Sequence, residues 1–205
     1  MIRYRVHLEN PHTRSIQKAV EALESGQLII YPTDTVYGIG CSINHKNAIE
    51  NIYRLKGKSK FDPMSIICSS IQQASTYVKI SNYTYKILRR CFPGPFTFIL
   101  EATREIPRLM LSKRKEIGIR IPDSNAAIET VKTLGHALLN TSVNIEGNEI
   151  MNDPDVIADR FYREVEIMLD GGILPDAEES TVIRLVNDTL EVLREGKGDL
   201  DKINI

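Results

Sequence analysis

Apolar residues recur along most of the chain at either helical or strand spacing, with polar residues between them. Between Ile16 and Leu23 the spacing is helical, and we expect this helix to be capped by Asn10-Pro11 and ended by Gly26. Further segments with helical spacing lie at about 48–55, 70–78, 82–91, 105–112, 124–134 and 154–163. The last of these begins with a cap residue and a first-turn proline, Asp153-Pro154.

Short apolar runs between these segments have the length and composition of buried strands. They lie at 28–31, 36–41, 64–68, 96–101, 118–121, 137–139 and 167–170. Such a regular alternation favours an α/β fold in which helices pack on a sheet. Near the end of the chain, residues 181–185 and 190–194 flank a polar turn and predict an antiparallel hairpin, so we expect the sheet to be mixed.

The composition is that of an ordinary globular protein. The 205 residues are 42% hydrophobic and 26% charged, with no internal repeat or linker-like tract. We therefore predict a single domain over residues 1–205, with its core at about 13–198. The formal net charge of −1 gives no general argument for nucleic-acid binding, so any basic surface must be local.

Cysteine and histidine usage argues against a disulfide framework and a zinc site. The cysteines are scattered and odd in number, which favours a reducing compartment, and the histidines are equally dispersed. They are Cys41, Cys68, Cys91, His7, His12, His45 and His136. No apolar run approaches the roughly 18 residues of a membrane span, and no N-terminal signal pattern is present. We predict a cytoplasmic, soluble protein without a membrane partner.

Residues 31–41 place two threonines, an aspartate and a tyrosine directly after an apolar strand. Pro32 fixes its own φ, and Gly38 and Gly40 allow backbone to approach closely, so we interpret the run as a shaped loop. Short hydroxyl side chains at a strand end suit the wall of a small-molecule pocket in an α/β fold. The same residue types also make ordinary polar turns, and their chemistry alone does not separate the two interpretations.

Three alternate lysines, Lys56, Lys58 and Lys60, follow the predicted helix at 48–55. Lysines at a helix C-terminus can simply interact with the negative end of the helix dipole. Around Gly57 they can also converge on a polyphosphate and neutralise its charge. The glycine spacing is neither that of a P-loop nor that of a Rossmann fingerprint.

Other polar residues stand at the ends of predicted strands. The sequence NTSVN at 140–144 offers ligand contacts or a capped turn. Arg120 and Arg194 each lie on a predicted strand, and each fits either a solvated strand face or a buried anion site. Ser180 directly precedes the strand that is predicted to pair with the strand of Arg194. No histidine stands where a nucleophilic triad would need it. The chemistry expected is therefore positioning and charge neutralisation, as in phosphoryl or nucleotidyl transfer.

Taken in order, these motifs resemble those of the YrdC (TsaC) family of threonylcarbamoyl-adenylate synthases. PTDTVYG at 32–38, with Gly40, resembles the family's Pro-Thr-Glu/Asp-Thr-Val-Tyr-Gly-Leu-Gly. Seven later segments also resemble motifs of the family: KGK at 56–58, DPM at 62–64, PGPFT at 93–97, GIRIP at 118–122, TSVN at 141–144, STV at 180–182 and LREG at 193–196. The likeness covers nearly the whole chain in single-domain form. Asn10-Pro11, KRK at 113–115 and DGG at 170–172 resemble the YciO branch.

The resemblance implies a fold and a reaction. The fold is a twisted mixed α/β sheet with helices packed on it and a concave, positively charged pocket. The reaction joins L-threonine, bicarbonate and ATP into L-threonylcarbamoyl-adenylate and releases pyrophosphate, and the product feeds the threonylcarbamoyl modification of adenosine in tRNA. The implied partners are these substrates, with ATP as its Mg²⁺ complex, and tRNA-modification enzymes. No tightly bound prosthetic group and no protein-held metal are implied.

The resemblance also implies roles for individual residues, by motif position. Lys56 and Lys58 would be catalytic and would neutralise the triphosphate. Thr35, Arg120 and Ser180 would contact L-threonine. The implied nucleotide contacts are Lys56, Lys58, Asp62, Ser142, Asn144 and Arg194.

Several residues depart from the family pattern, and two alternatives to the synthase remain. Lys58 stands where the family has arginine, Asp62 where it has asparagine, and Ile67 where many members have histidine. One alternative is a pocket that binds a nucleotide without full synthase activity. The other is a YciO-type protein that binds double-stranded RNA, tRNA or the ribosome through phosphate contacts. Its basic residues would be Lys56, Lys58, Lys60, Arg89, Arg90, Lys113, Arg114 and Lys115.

Overall fold

In the computed structural model, which describes residues 1–57, 59, 64–111, 113–144 and 150–203, ten strands pair into one sheet. The strands are β1 Ile2–Arg5, β2 Ile29–Tyr31, β3 Gly38–Ser42, β4 Ser65–Ile67, β5 Phe96–Glu101, β6 Glu116–Arg120, β7 Leu138–Ser142, β8 Ile167–Asp170, β9 Thr181–Val186 and β10 Thr189–Arg194. Across the sheet their order is β1-β8-β2-β3-β7-β4-β6-β5-β9-β10.

The sheet is mixed, as the sequence predicts. Strand pairs β1–β8, β2–β8, β4–β6 and β5–β9 are parallel, whereas the other neighbours are antiparallel. The predicted terminal hairpin is confirmed by the antiparallel pairing of β9 and β10. Its turn places Asn187 and Asp188 at φ of 53° and 57°. Asparagine and aspartate tolerate this left-handed conformation better than most residues do, which explains their place in the turn.

The described residues form six α-helices. These are α1 Thr13–Glu24, α2 Lys46–Leu55, α3 Ile71–Tyr77, α4 Asn82–Cys91, α5 Asn125–Leu134 and α6 Pro154–Phe161. The predicted start of α6 is confirmed, because the Asp153 side chain accepts a hydrogen bond from the Asp155 backbone amide at 2.8 Å. Within the described ranges, no helix is long and apolar enough to cross a membrane.

Three predicted element boundaries are wrong. The first helix begins at Thr13 with His12 at its cap position and no side-chain cap bond, so Asn10-Pro11 lies outside it. In the segment predicted as a helix at 105–112, the described residues 105–111 form only a 3₁₀ turn, Arg108–Met110. Pro107 explains this, since proline lacks an amide hydrogen and disfavours helical geometry in the residue before it. β3 begins at Gly38, later than the predicted Val36.

Apolar side chains form a core on each face of the sheet. Along β2, Ile29 packs with α1 and α5 on one face, whereas Ile30 packs on the other face with the cluster that includes residues of α2 and α4. The α1/α5 cluster contains no described residue of β5, β6, β9 or β10. On β5 and β9, buried residues alternate with half-buried ones. That half-buried surface lies beside the α1/α5 cluster, and a cavity opens on it.

Candidate functional site

A cavity of about 780 Å³ lies over this part of the sheet and collects most of the predicted site residues. Its volume is within the range of small-molecule sites. The predicted residues in its wall are Thr35, Lys56, Arg120, Ser142, Asn144, Ser180 and Arg194. Lys58 and Asp62, which complete the predicted set, lie outside the described residues. Seven predicted residues from six separate segments of the chain therefore meet at one site, although their individual roles stay predictions.

The loop between β2 and β3 is both a side-chain-capped turn and a wall of the cavity. Thr33 Oγ1 donates to the Val36 carbonyl at 2.6 Å and accepts from the Thr35 amide at 3.1 Å. The two threonine hydroxyls lie 3.0 Å apart. Thr33 Oγ1 also accepts from Arg120 Nη2 at 3.3 Å, and either threonine can be the donor of the pair. In both cases Thr35 Oγ1 keeps at least one lone pair for a ligand.

Glycines shape the floor of the cavity. A Cβ on Gly38 would lie 2.7 Å from Asn140 Oδ1, which accepts a 2.6 Å hydrogen bond from the Tyr31 hydroxyl. A Cβ on Gly118 would lie 3.2 Å from Thr97 Cγ2. The close backbone approach expected for Gly38 is therefore confirmed. A larger residue at either position would push into the packed floor.

Arg120 ends β6 on the face that carries the cavity, and only 5% of the residue is exposed. Its Nη2 donates to Asp34 Oδ1 in a short ion pair and to Thr33 Oγ1 at 3.3 Å. Of the two interpretations that the sequence left open for Arg120, the structure excludes a solvated strand face and places the cation in a buried position beside a cleft. Arg120 Nε and Asp34 Oδ2 are buried without a hydrogen-bond partner.

Lys56 is the residue that follows α2, and its side chain reaches across to the end of β7. Nζ donates to the Ser142 carbonyl at 3.0 Å and, in a shorter contact, to the Asn144 carbonyl. Lys56 therefore interacts with the end of β7 in addition to any interaction with the dipole of α2. The ammonium group is held against the segment that carries two predicted nucleotide contacts.

A second polar cluster joins Asn144, Glu179 and the end of β10. Arg194 Nη1 donates to Glu179 in a short ion pair, while its Nη2 donates to the Ser180 carbonyl at 2.8 Å and to Ser180 Oγ at 3.3 Å. Asn144 Nδ2 donates to Glu179 at 3.4 Å. Thr97 Oγ1 lies 2.9 Å from Ser180 Oγ. Glu179, which sequence analysis did not single out, thus joins the predicted site residues Asn144 and Arg194, and Arg194 in turn binds Ser180.

Charges of both signs line the described part of the cavity. The cationic residues are Lys56, Arg120, Arg160 and Arg194, and the anionic residues are Glu178, Glu179 and Glu195. Arg160 and Phe161 enter from the end of α6, where no local motif points to them. The two glutamates before Ser180 could have been suspected, because they adjoin a predicted contact. Among the described residues, no group of three or more potential metal ligands is close enough to hold an ion.

Ile67 and most of the basic residues considered for RNA binding do not line the cavity. Ile67 is fully buried in the α1/α5 core and does not line the wall. Of the basic residues considered for RNA binding, Lys56 lines the cavity. Those in α4 and before β6 are exposed and do not line it: Arg89, Arg90, Lys113, Arg114 and Lys115. Lys60 lies outside the described residues. RNA binding stays a prediction, and most of its described residues would have to act outside the cavity.

Comparison with known proteins gives a family match and close structural relatives. The family model Sua5_yciO_yrdC, described as "Telomere recombination", matches residues 21–196. The "Uncharacterized protein YciO" of Escherichia coli (strain K12) is 39% identical over 197 residues, which is 95% of each chain. The crystal structure of E. coli YciO matches with a TM-score of 0.93 at 37% identity, covering 99% of both chains.

A longer relative has an activity in its name. The threonylcarbamoyl-AMP synthase of Pyrococcus abyssi is 29% identical over 189 residues, which is 92% of this chain and 56% of that protein. The crystal structure of P. abyssi Sua5 complexed with L-threonine matches with a TM-score of 0.91 at 28% identity, over 99% of this chain and 60% of that one. This chain therefore spans little more than half the length of that synthase.

Proposed function

The chain belongs to the Sua5/YciO/YrdC family, and on that premise we propose that it is an L-threonylcarbamoyladenylate synthase-like nucleotidyltransferase. The proposed reaction converts L-threonine, bicarbonate and ATP into threonylcarbamoyl-AMP and pyrophosphate. The product would serve the threonylcarbamoyl modification of tRNA. Relatives named threonylcarbamoyl-AMP synthase support an enzyme of the transferase kind.

The observation that carries the proposal is the convergence of seven family-motif residues on one cavity. Around Arg120 the wall offers a guanidinium and the Thr35 hydroxyl, a combination that suits an amino acid with its carboxylate and amine. Around Lys56 and Arg194 it offers cations and the polar groups of Ser142 and Asn144, which suit a nucleotide. A cavity of about 780 Å³ has room for both ligands at once.

The proposed chemistry depends on positioning and on charge. Arg120 would bind the L-threonine carboxylate, with Ser180 closing over the same substrate. The amine, after losing a proton to solvent, would attack the bicarbonate carbon, which forms a carbamate and releases water. An oxygen of this carbamate then attacks the α-phosphorus of ATP, and the bond to pyrophosphate breaks. Lys56 would offset negative charge on the triphosphate, and Mg²⁺ enters with ATP as part of the substrate. Arg194 would bind the nucleotide.

A pyrophosphate-release assay with the purified chain tests this function. Full turnover should require L-threonine, bicarbonate and Mg²⁺-ATP together, and omission of any one should remove the signal. The adenylate should appear in amounts equal to the pyrophosphate. Folded protein that binds ATP but releases no pyrophosphate with all substrates present would refute synthase activity and leave a nucleotide-binding pocket.

A further inference from the structure

The ion pair between Asp34 and Arg120 places two opposite charges at the wall of the cavity. The side chains are 12% and 6% exposed, respectively, and one short hydrogen bond joins them. Arg120 lines the cavity, whereas Asp34 does not. The second carboxylate oxygen of Asp34 is buried and has no hydrogen-bond partner. The negative charge of Asp34 is therefore shared only with Arg120 among the described ion pairs.

This pairing changes what Arg120 offers to a ligand. An isolated buried guanidinium would attract any carboxylate strongly, because charges interact more strongly where water is excluded. With Asp34 attached, the cation is already balanced. A carboxylate that docks on Arg120 is also repelled by Asp34 behind it, since both anions lie within the reach of one guanidinium. A ligand with a positive charge close to its carboxylate avoids most of that repulsion.

The neighbouring loop supplies a group for such a positive charge. Thr33 Oγ1 donates to the Val36 carbonyl and accepts from the Thr35 amide and Arg120 Nη2. Whichever threonine donates in the contact between their hydroxyls, Thr35 Oγ1 keeps at least one lone pair as an acceptor in the wall of the cavity. An ammonium group donates hydrogen bonds and accepts none, so it matches this acceptor. The Thr35 acceptor and the balanced ion pair favour the same ligand chemistry.

We propose that Asp34 is a specificity-determining residue that restricts the Arg120 end of the cavity to zwitterionic amino acids and excludes carboxylates that lack an ammonium group. The proposal rests on the proposed function, because it concerns the substrate amino acid of that site. Asp34 acts through Arg120 and does not itself touch the substrate. Its effect is therefore on the choice between ligands more than on binding strength alone.

Titration calorimetry with two related ligands tests the proposal. L-Threonine and 3-hydroxybutyrate share the carboxylate and the hydroxyl, but only the first has an ammonium group. The wild-type chain should bind L-threonine at least roughly tenfold more tightly than 3-hydroxybutyrate, in line with a charge–charge term inside a protein. In Asp34→Asn that preference should shrink at least roughly threefold, mainly because 3-hydroxybutyrate binds better.

Two control variants separate charge from structure. Asp34→Glu keeps the carboxylate and should keep the preference. Asp123→Asn removes an exposed carboxylate three residues after Arg120 and should leave both affinities unchanged. A general loosening of the site would weaken both ligands and would not raise the affinity for 3-hydroxybutyrate.

The outcomes distinguish this inference from the function on which it rests. A folded wild-type chain that binds no L-threonine would contradict the proposed function. L-Threonine binding with the same ligand preference in wild type and Asp34→Asn would overturn the role of Asp34 alone. If Asp34→Asn does not fold, the wild-type comparison still decides, because equal affinities for the two ligands would overturn the proposal.

Discussion

Lys56 Nζ lies 3.0 Å from the Ser142 carbonyl oxygen, so a side chain at the end of α2 is bound to the end of β7. The two residues are 86 positions apart in the chain. This contact brings a cation to the strand end that presents Ser142 and Asn144 to the cavity. A charge placed by backbone carbonyls is held in position before any ligand arrives, which lowers the entropic cost of using it.

Replacing Lys56 with glutamine should weaken ATP binding by roughly tenfold or more, because a charge-assisted contact to phosphate is lost. Isothermal titration with Mg²⁺-ATP measures this change. Lys46→Gln is the matched control, because Lys46 lies on the same helix and is 77% exposed in a 3.7 Å ion pair with Glu50. Equal ATP affinities in wild type and Lys56→Gln would remove Lys56 from the nucleotide site.

Replacing Glu179 with glutamine should strengthen ATP binding roughly three- to tenfold, the scale of a partly exposed charge pair. Glu179 holds Arg194 and Asn144 in the structure, so a phosphate that binds Arg194 has to compete with this carboxylate. The competition disappears when the charge is removed. The experiment is the same titration, performed at two salt concentrations.

The control for Glu179→Gln is Glu191→Gln, which removes an exposed carboxylate from β10 near Arg184. It should leave ATP affinity unchanged. Weaker ATP binding in Glu179→Gln would reverse the interpretation: the carboxylate would then orient Arg194 for the nucleotide and would not compete with it.

The sequence predicts those site residues that lie at strand ends and belong to short polar motifs. Thr35, Ser142 and Ser180 each stand among residues whose hydroxyl or amide groups crowd one short segment, and all three line the cavity. The mixed sheet follows from the alternation of apolar runs and from the terminal hairpin. Both signals are local, because they depend on neighbours a few positions apart.

The contacts that sequence analysis missed are set by tertiary packing. Asp34 and Arg120 are 86 positions apart, and no local pattern pairs them. Arg160 reaches the wall only because α6 packs beside it. Strand β1 was also not predicted, since its residues are mostly exposed at the sheet edge and carry no clear alternation. Its place depends on parallel pairing with β8.

Replacing Tyr31 with phenylalanine should lower the free energy of unfolding by about 1–2 kcal/mol. The buried Tyr31 hydroxyl donates to Asn140 Oδ1 at 2.6 Å, and the substitution leaves that acceptor without its donor. Urea denaturation measures the difference. Tyr85→Phe, on an exposed part of α4, should change stability by less than about 0.5 kcal/mol. A similarly small change in Tyr31→Phe would show that Asn140 finds another partner.

Replacing His136 with glutamine should make stability less sensitive to pH below about 6.5. Partial burial lowers the pKa of His136 from its ordinary value of 6.5, and nearby His45 acts in the same direction, against a hydrogen bond to the Leu134 backbone and the charge of Glu24. The unfolded chain therefore takes up this proton at a higher pH than the folded chain. The stability contribution is complete above pH 6.5 and is lost as the pH falls through the lowered folded-state pKa.

Urea denaturation at pH 7.5, 6.5 and 5.5 gives the slope of unfolding free energy against pH for wild type and His136→Gln. The wild-type slope should be steeper by at most about 1.4 kcal/mol per pH unit, the value for one proton. His12→Gln, at an exposed position, is the matched control and should follow the wild type. The 2.7 Å contact between His136 Nε2 and Ser42 Oγ is lost at every pH, so it changes the absolute stability and leaves the slope as the readout. Parallel slopes for wild type and His136→Gln would show that His136 titrates alike in the folded and unfolded chains.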